Sequence, residues 1–293
     1  MLKYCKTAVT ELKGQIFEQK RVRFVVKRED QNHPSVSGNK WWKLKYNLEE
    51  AIKNNQNTIL TFGGAYSNHI YATAAAAREL GLRSIGIIRG EETLPLNETL
   101  KFARAHGMEL HHVARAFYRT KTSQPFLDEL RKEFGDFYLI PEGGTNELAV
   151  KGCAEFARLL NQEAQVDYLC LAVGTGGTIA GMIEGFDRSK KILGFPVLKG
   201  AAFLEAEIKR FTTKRNWELL YDYHAGGYAK TNSALIKFIG EFEENYKLPL
   251  DPVYTGKMMW GMFDLLQNGY FPPGSTVLVL HTGGLQGRLG FNF

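Results

Sequence analysis

Thr58-Ile59-Leu60-Thr61-Phe62-Gly63-Gly64-Ala65-Tyr66-Ser67-Asn68-His69 runs from an apolar, β-branched stretch through two glycines to a helix-capping pair. The alanine-rich segment 68–80 behind it reads as a helix, so the stretch is the strand, turn and helix start of a βα unit. The rhythm continues. Ser84-Ile85-Gly86-Ile87-Ile88, Glu109-Leu110-His111-His112-Val113 and Phe137-Tyr138-Leu139-Ile140 read as strands, with a helix over 97–106. Alternating strands and helices predict a parallel sheet with helices covering it. A second set opens with Asp167-Tyr168-Leu169-Cys170-Leu171-Ala172-Val173 and closes with Thr276-Val277-Leu278-Val279-Leu280. The turn Pro141-Glu142-Gly143-Gly144-Thr145-Asn146 is the expected hinge between the two sets.

Composition narrows the function classes. The 293 residues, 44% hydrophobic and 23% charged, suffice for two domains around a substantial core. The net charge is +6, from 37 basic and 31 acidic residues. It is spread along the chain; Lys20-Arg21-Val22-Arg23 and Lys27-Arg28 alternate with apolar residues as a strand would, which argues against nucleic-acid binding. A mild positive field favours small anionic substrates and a phosphate-bearing cofactor. Cys5, Cys153 and Cys170 form no Cys-x-x-Cys pair, and no histidine spacing suits a metal. Neither a signal-peptide core nor an apolar run of about 18 residues is present, so a soluble cytoplasmic protein without membrane contact is expected.

Loops after strands are where an open α/β sheet carries chemistry. In Phe62–His69, Ser67 or Asn68 caps a helix whose first amides could hold a carboxylate; simple capping explains the pair equally well. In Ala172-Val173-Gly174-Thr175-Gly176-Gly177-Thr178-Ile179-Ala180-Gly181, glycines and threonines follow a strongly apolar strand and open a helix. This suits a phosphate better than a plain tight turn does. It is no Walker loop, and Ile179 stands where a dinucleotide fingerprint needs its third glycine, which speaks against a nicotinamide dehydrogenase. Leu280-His281-Thr282-Gly283-Gly284 follows the last strand, and Thr282 either donates to a ring nitrogen or merely turns the chain. Lys40, in Ser37-Gly38-Asn39-Lys40-Trp41-Trp42-Lys43-Leu44, sits at a helix start. Lys40 and Lys43 are either solvated first-turn lysines or, since cations oppose the helix dipole there, partners of an anion. A fixed, buried amine suits attack on a carbonyl cofactor. Tyr228 and Tyr254 lie beside glycines as candidate proton donors.

These motifs resemble, in order and from about residue 23 to 284, the family of 1-aminocyclopropane-1-carboxylate deaminase and D-cysteine desulfhydrase. The carriers are Ser37–Leu44, Gly63–His69, Gly174–Thr178, Gly227–Tyr228, Asp251-Pro252-Val253-Tyr254-Thr255-Gly256-Lys257 and His281–Gly284. The resemblance implies a two-domain α/β protein of pyridoxal-phosphate fold type II, like the tryptophan synthase β-subunit. Residues 1–43 plus 149–293 would form the large cofactor domain and 44–148 the smaller one, in a homodimer. It implies that Lys40 holds pyridoxal phosphate covalently and moves a proton, and that Asn68 bonds its phenolic oxygen. Lys43 and Gly174, Thr175, Gly176, Gly177 and Thr178 would hold the phosphate, and Thr282 would face the pyridine nitrogen. Ser67, with Asn68 and His69, would take a small amino-acid substrate's carboxylate between Tyr228 and Tyr254. A threonine cannot protonate the pyridine as an aspartate would, which favours elimination and deamination over transamination. The family's ring-opening deaminases carry glutamate at position 255 and leucine at 282; Thr255 and Thr282 are those of the desulfhydrase branch. The expected activity is therefore a lyase eliminating across Cα and Cβ of a D-cysteine-like amino acid. Ring-opening deamination and a catalytically silent cofactor-binding protein are the alternatives. Trp42, Tyr66 and Tyr71 replace the family's arginine, glutamine and arginine and are expected to narrow the substrate pocket. The stretch after Gly284 is short, so a pocket wall is expected to be missing.

Overall fold

The structure, a computed structural model, describes residues 2–290. The strands are β1 (Val9–Leu12), β2 (Arg23–Lys27), β3 (Thr58–Gly64), β4 (Arg83–Arg89), β5 (Met108–Val113), β6 (Tyr138–Ile140), β7 (Tyr168–Val173), β8 (Lys191–Pro196), β9 (Trp217–Leu219) and β10 (Thr276–Leu280). The helices are α1 (Gln15–Lys20), α2 (Asn39–Lys53), α3 (Asn68–Glu79), α4 (Glu98–Ala105), α5 (Arg115–Tyr118), α6 (Gln124–Phe134), α7 (Glu147–Glu163), α8 (Gly177–Gly185), α9 (Phe203–Lys209), α10 (Ser233–Tyr246) and α11 (Thr255–Gln267). None of the described helices is long and apolar enough to cross a membrane.

The strands form two sheets, ordered β1-β2-β10-β7-β8-β9 and β5-β4-β3-β6. Every pairing is parallel except β1 with β2. The expected βα rhythm is thus realised, and the larger sheet draws strands from both ends of the chain. The boundary expected at 43/44 falls within α2. Two basic runs read as strand differ: Lys20 ends α1, and Arg21 turns the chain at φ 53°, so extended structure begins at Arg23. Lys27 is buried against Glu163, 2.6 Å away.

Burial on both faces explains why the central strands are apolar throughout. In β10, Leu278 and Leu280 point into the cluster shared with α2, α7 and α8, including Trp42, Leu44, Phe156 and Ile183. Val277 and Val279 point the other way, into Phe24, Ile239, Phe242, Met258 and Met262. In the smaller sheet, Leu60 and Phe62 of β3 pack with Ile85, Ile87, Phe126 and Leu130. β3, β7 and β10 end in the three glycine-bearing loops, and these carboxyl ends converge.

Candidate active site

Two tight approaches assemble the site. Gly38, at φ 71°, precedes α2, and a Cβ there would lie 1.8 Å from the Thr282 carbonyl oxygen. Only glycine allows the start of α2 to abut the loop after β10. The Asn39 amide then donates to the Thr282 carbonyl at 3.3 Å, and Asn39 Nδ2 donates to Thr178 Oγ1 at 2.7 Å. The start of α2 is thereby tied to both glycine loops of the larger sheet.

One cavity results. Of the predicted residues, Lys40, Lys43, Ser67, Asn68, His69, Gly174, Thr175, Gly176, Thr178, Tyr254 and Thr282 line it, together with Asn39 and Gly143. No lining residue among those described is acidic. Two lysines facing one another without a carboxylate form a site for an anion. Lys43 Nζ donates to the Gly143 carbonyl and to Thr145 Oγ1, the latter at 3.0 Å. Burial, then the Lys40 charge, pushes the Lys43 amine down to about 7. Burial brings Lys40 down to about 8, and among the described residues nothing hydrogen-bonds its amine. It is the free nucleophile of the cavity.

The other lining groups have assigned protons. Thr61 Oγ1 donates to the Ile140 carbonyl at 2.7 Å, so His69 Nε2 must carry the proton it shares with Thr61 at 2.8 Å. Burial, then Lys40 and Lys43, holds the His69 pKa well below its usual value, so the ring is neutral. Ser67 Oγ caps α3, accepting from the His69 and Ile70 amides at 3.2 and 3.3 Å, while its own proton stays available. Asn68 Oδ1 accepts from Gln286 Nε2 at 2.7 Å. Burial, then its neighbour Tyr228, raises the Tyr254 pKa well above the usual phenol value.

Three predicted residues stand apart from the lining. Tyr228 lies behind Tyr254, ring centroids 6.1 Å apart. Gly177 begins α8 and packs on Thr145. Thr255 is fully buried, donates to Asp251 Oδ2 at 2.6 Å, closes the turn that starts α11 and is not among the lining residues. The aromatic replacements are corrected. Trp42 stacks on Phe156 at 4.8 Å in the core, and its Nε1 donates to Glu29 at 2.8 Å. Tyr71 stacks on Phe102 at 3.6 Å, and Tyr66 is exposed. None of the three lines the cavity. The expected hinge 141–146 is a cavity wall, since Thr145 Oγ1 and Thr175 Oγ1 bond at 2.6 Å. Sequence reasoning assigned nothing to Asn39, Thr145 or Gln286. Asn39 lies inside the Ser37–Leu44 motif; Gln286 carries no local signal, and it fixes the Asn68 side chain.

The family described as pyridoxal-phosphate dependent enzyme matches residues 3–283. The chain belongs to this family. Among similar proteins is a 1-aminocyclopropane-1-carboxylate deaminase of a Bradyrhizobium species, 30% identical, the match covering 93% of this chain and 89% of that protein. The bifunctional D-cysteine desulfhydrase/1-aminocyclopropane-1-carboxylate deaminase of Arabidopsis thaliana is 29% identical over 89% of this chain and 72% of its own length. A solved structure described as an ACC deaminase homologue superimposes with a TM-score of 0.87 at 27% identity, covering 98% of this chain and 92% of that one. The enzyme therefore has pyridoxal-phosphate fold type II. The cavity's chemistry fits this cofactor: a free amine for its aldehyde, and a buried lysine beside a glycine loop for its phosphate.

Proposed function

We propose that the enzyme catalyses α,β-elimination of a small amino acid such as D-cysteine, which with one water gives pyruvate, ammonia and sulfide. Pyridoxal phosphate bound here would supply the electron sink for the pair left on Cα. Lys40 Nζ would hold the cofactor and carry the Cα proton. The support is a buried amine with no competing partner among the described residues and a pKa lowered to about 8 by burial. Lys43 and the loop 174–178 would hold the phosphate. The Ser67 hydroxyl, already anchored at the start of α3, would donate to the substrate carboxylate. Tyr254, kept as a neutral phenol by burial, would give a proton to the leaving group, with Tyr228 packed behind it. Thr282 would meet the ring nitrogen as a neutral hydroxyl, limiting side reactions.

Ring-opening deamination of 1-aminocyclopropane-1-carboxylate is the second reading, favoured by the names of the relatives. Thr255 bears on this choice through the Asp251 turn that seats Tyr254, since it does not itself line the cavity. Assaying pyruvate from D-cysteine against 2-oxobutyrate from 1-aminocyclopropane-1-carboxylate separates the two. Pyruvate in excess supports elimination; 2-oxobutyrate in excess replaces it with ring opening. Neither product, with cofactor bound, marks a silent binding protein. A homodimeric, cytoplasmic enzyme completes the proposal, and light scattering on the purified holoenzyme tests the dimer.

A further inference from the structure

Arg89 ends β4 directly beside Gly64, the last residue of β3. Its Nη2 lies 3.4 Å from where a Cβ on Gly64 would stand, so the guanidinium covers the turn leading to Ser67. That turn is closed by the Ser67 amide donating to the Gly64 carbonyl at 3.0 Å. Arg89 Cζ also sits 5.7 Å over the Tyr118 ring. The Tyr118 hydroxyl donates to Glu142 Oε1 at 2.9 Å, and Glu142 precedes Gly143 in the cavity wall. Burial raises the Tyr228 pKa, while the Tyr254 hydroxyl and the Arg89 charge lower it.

Two of the neighbouring cations are committed. Lys121 pairs with Glu142 at 3.2 Å, and Lys43 bonds Gly143 and Thr145. Arg89 is exposed and, among the described residues, has no ion pair. A guanidinium packed on Tyr118 but without an ion pair among the described residues, one turn from the serine proposed to bind the carboxylate, leaves a positive charge that a substrate with only one carboxylate does not use.

We propose that Arg89 is a specificity-determining residue that takes a second anionic group, so that the preferred substrate carries a phosphate, sulfate or thiosulfate as its β-substituent. This rests on the proposed elimination at the same cavity. With O-phosphoserine as the example, the Cα proton goes to Lys40. The Cβ–O bond breaks with its electron pair leaving on phosphate, and water converts the released enamine to pyruvate and ammonia. No oxidant or reductant enters.

The test titrates the holoenzyme with 2-amino-3-phosphonopropionate, which cannot eliminate, and with alanine, both enantiomers of each, following the bound cofactor's absorbance. The wild type is expected to bind the phosphonate at least about tenfold more tightly than alanine. Arg89→Met should collapse that ratio toward one, and Arg89→Lys should keep part of it. An unchanged ratio in Arg89→Met overturns the inference. So does an equal loss for both ligands, because Arg89 would then hold the α-carboxylate. A holoenzyme that never forms overturns the underlying reading instead and is recognised by the missing cofactor absorbance.

Discussion

Lys40 and Lys43 occupy one helix face three residues apart, yet their surroundings divide their work. Lys43 is held by Gly143 and Thr145, whereas Lys40 has no partner among the described residues. Below about pH 8 Lys40 keeps its proton and cannot attack an aldehyde. Cofactor uptake by the apoenzyme should therefore quicken roughly tenfold per pH unit up to about 8 and then level off. Stopped-flow absorbance checks this, and a flat profile from pH 6 to 9 contradicts it. Both lysine pKa values are lowered from 10.5, so the unfolded chain holds protons that the folded site has shed. The contribution of these groups to apoenzyme stability then rises as pH climbs from about 7 toward 10. At Trp42, phenylalanine would keep the stack on Phe156 but take a donor from the buried Glu29. Trp42→Phe should cost about 1–3 kcal/mol in urea unfolding while cofactor affinity stays near that of the wild type. A large loss of affinity at unchanged stability would restore Trp42 to the pocket.

At the scale of elements, α2 is positioned by glycines on its neighbours. A Cβ on Gly152 of α7 would lie 2.0 Å from the Trp42 carbonyl, and one on Gly181 of α8 would lie 2.3 Å from the Cys153 Cβ. Gly152→Ala must push α2 away from α7, and Lys40 and Lys43 move with it. The variant should lose about 1–3 kcal/mol of stability and bind cofactor more weakly, measured by urea unfolding and cofactor titration. Full affinity would show that α2 tolerates the shift. These contacts were not legible in the sequence, because a glycine inside a helix looks the same whether it packs against backbone or faces water. The βα units were legible from their alternating pattern, and so were the glycine loops. The role of 141–146 was not: Gly143 and Thr145 read as a hinge, and only the parallel sheets reveal that they press on Thr175. The setting of Thr255 was not legible for a related reason. Its place in a motif put it near the substrate, but the motif's own Asp251 claims its hydroxyl.

Taken whole, the molecule is two mainly parallel sheets whose loops share one cavity, so an anion held there bridges both. α2 brings the lysines, the smaller sheet brings Ser67 and Asn68, and the larger brings the loop after β7. A ligand that binds only the folded chain at about a hundred times its dissociation constant adds roughly 2.7 kcal/mol. Stripping the cofactor with hydroxylamine should lower the melting temperature by several degrees, and adding it back should restore the loss; identical melting curves would contradict a bridging site. The most direct measurement is made on the cofactor-loaded enzyme, reduced with borohydride, digested and analysed by mass spectrometry. A pyridoxyl group on Lys40 alone is expected. A label on Lys43, or on no lysine of α2, would contradict this.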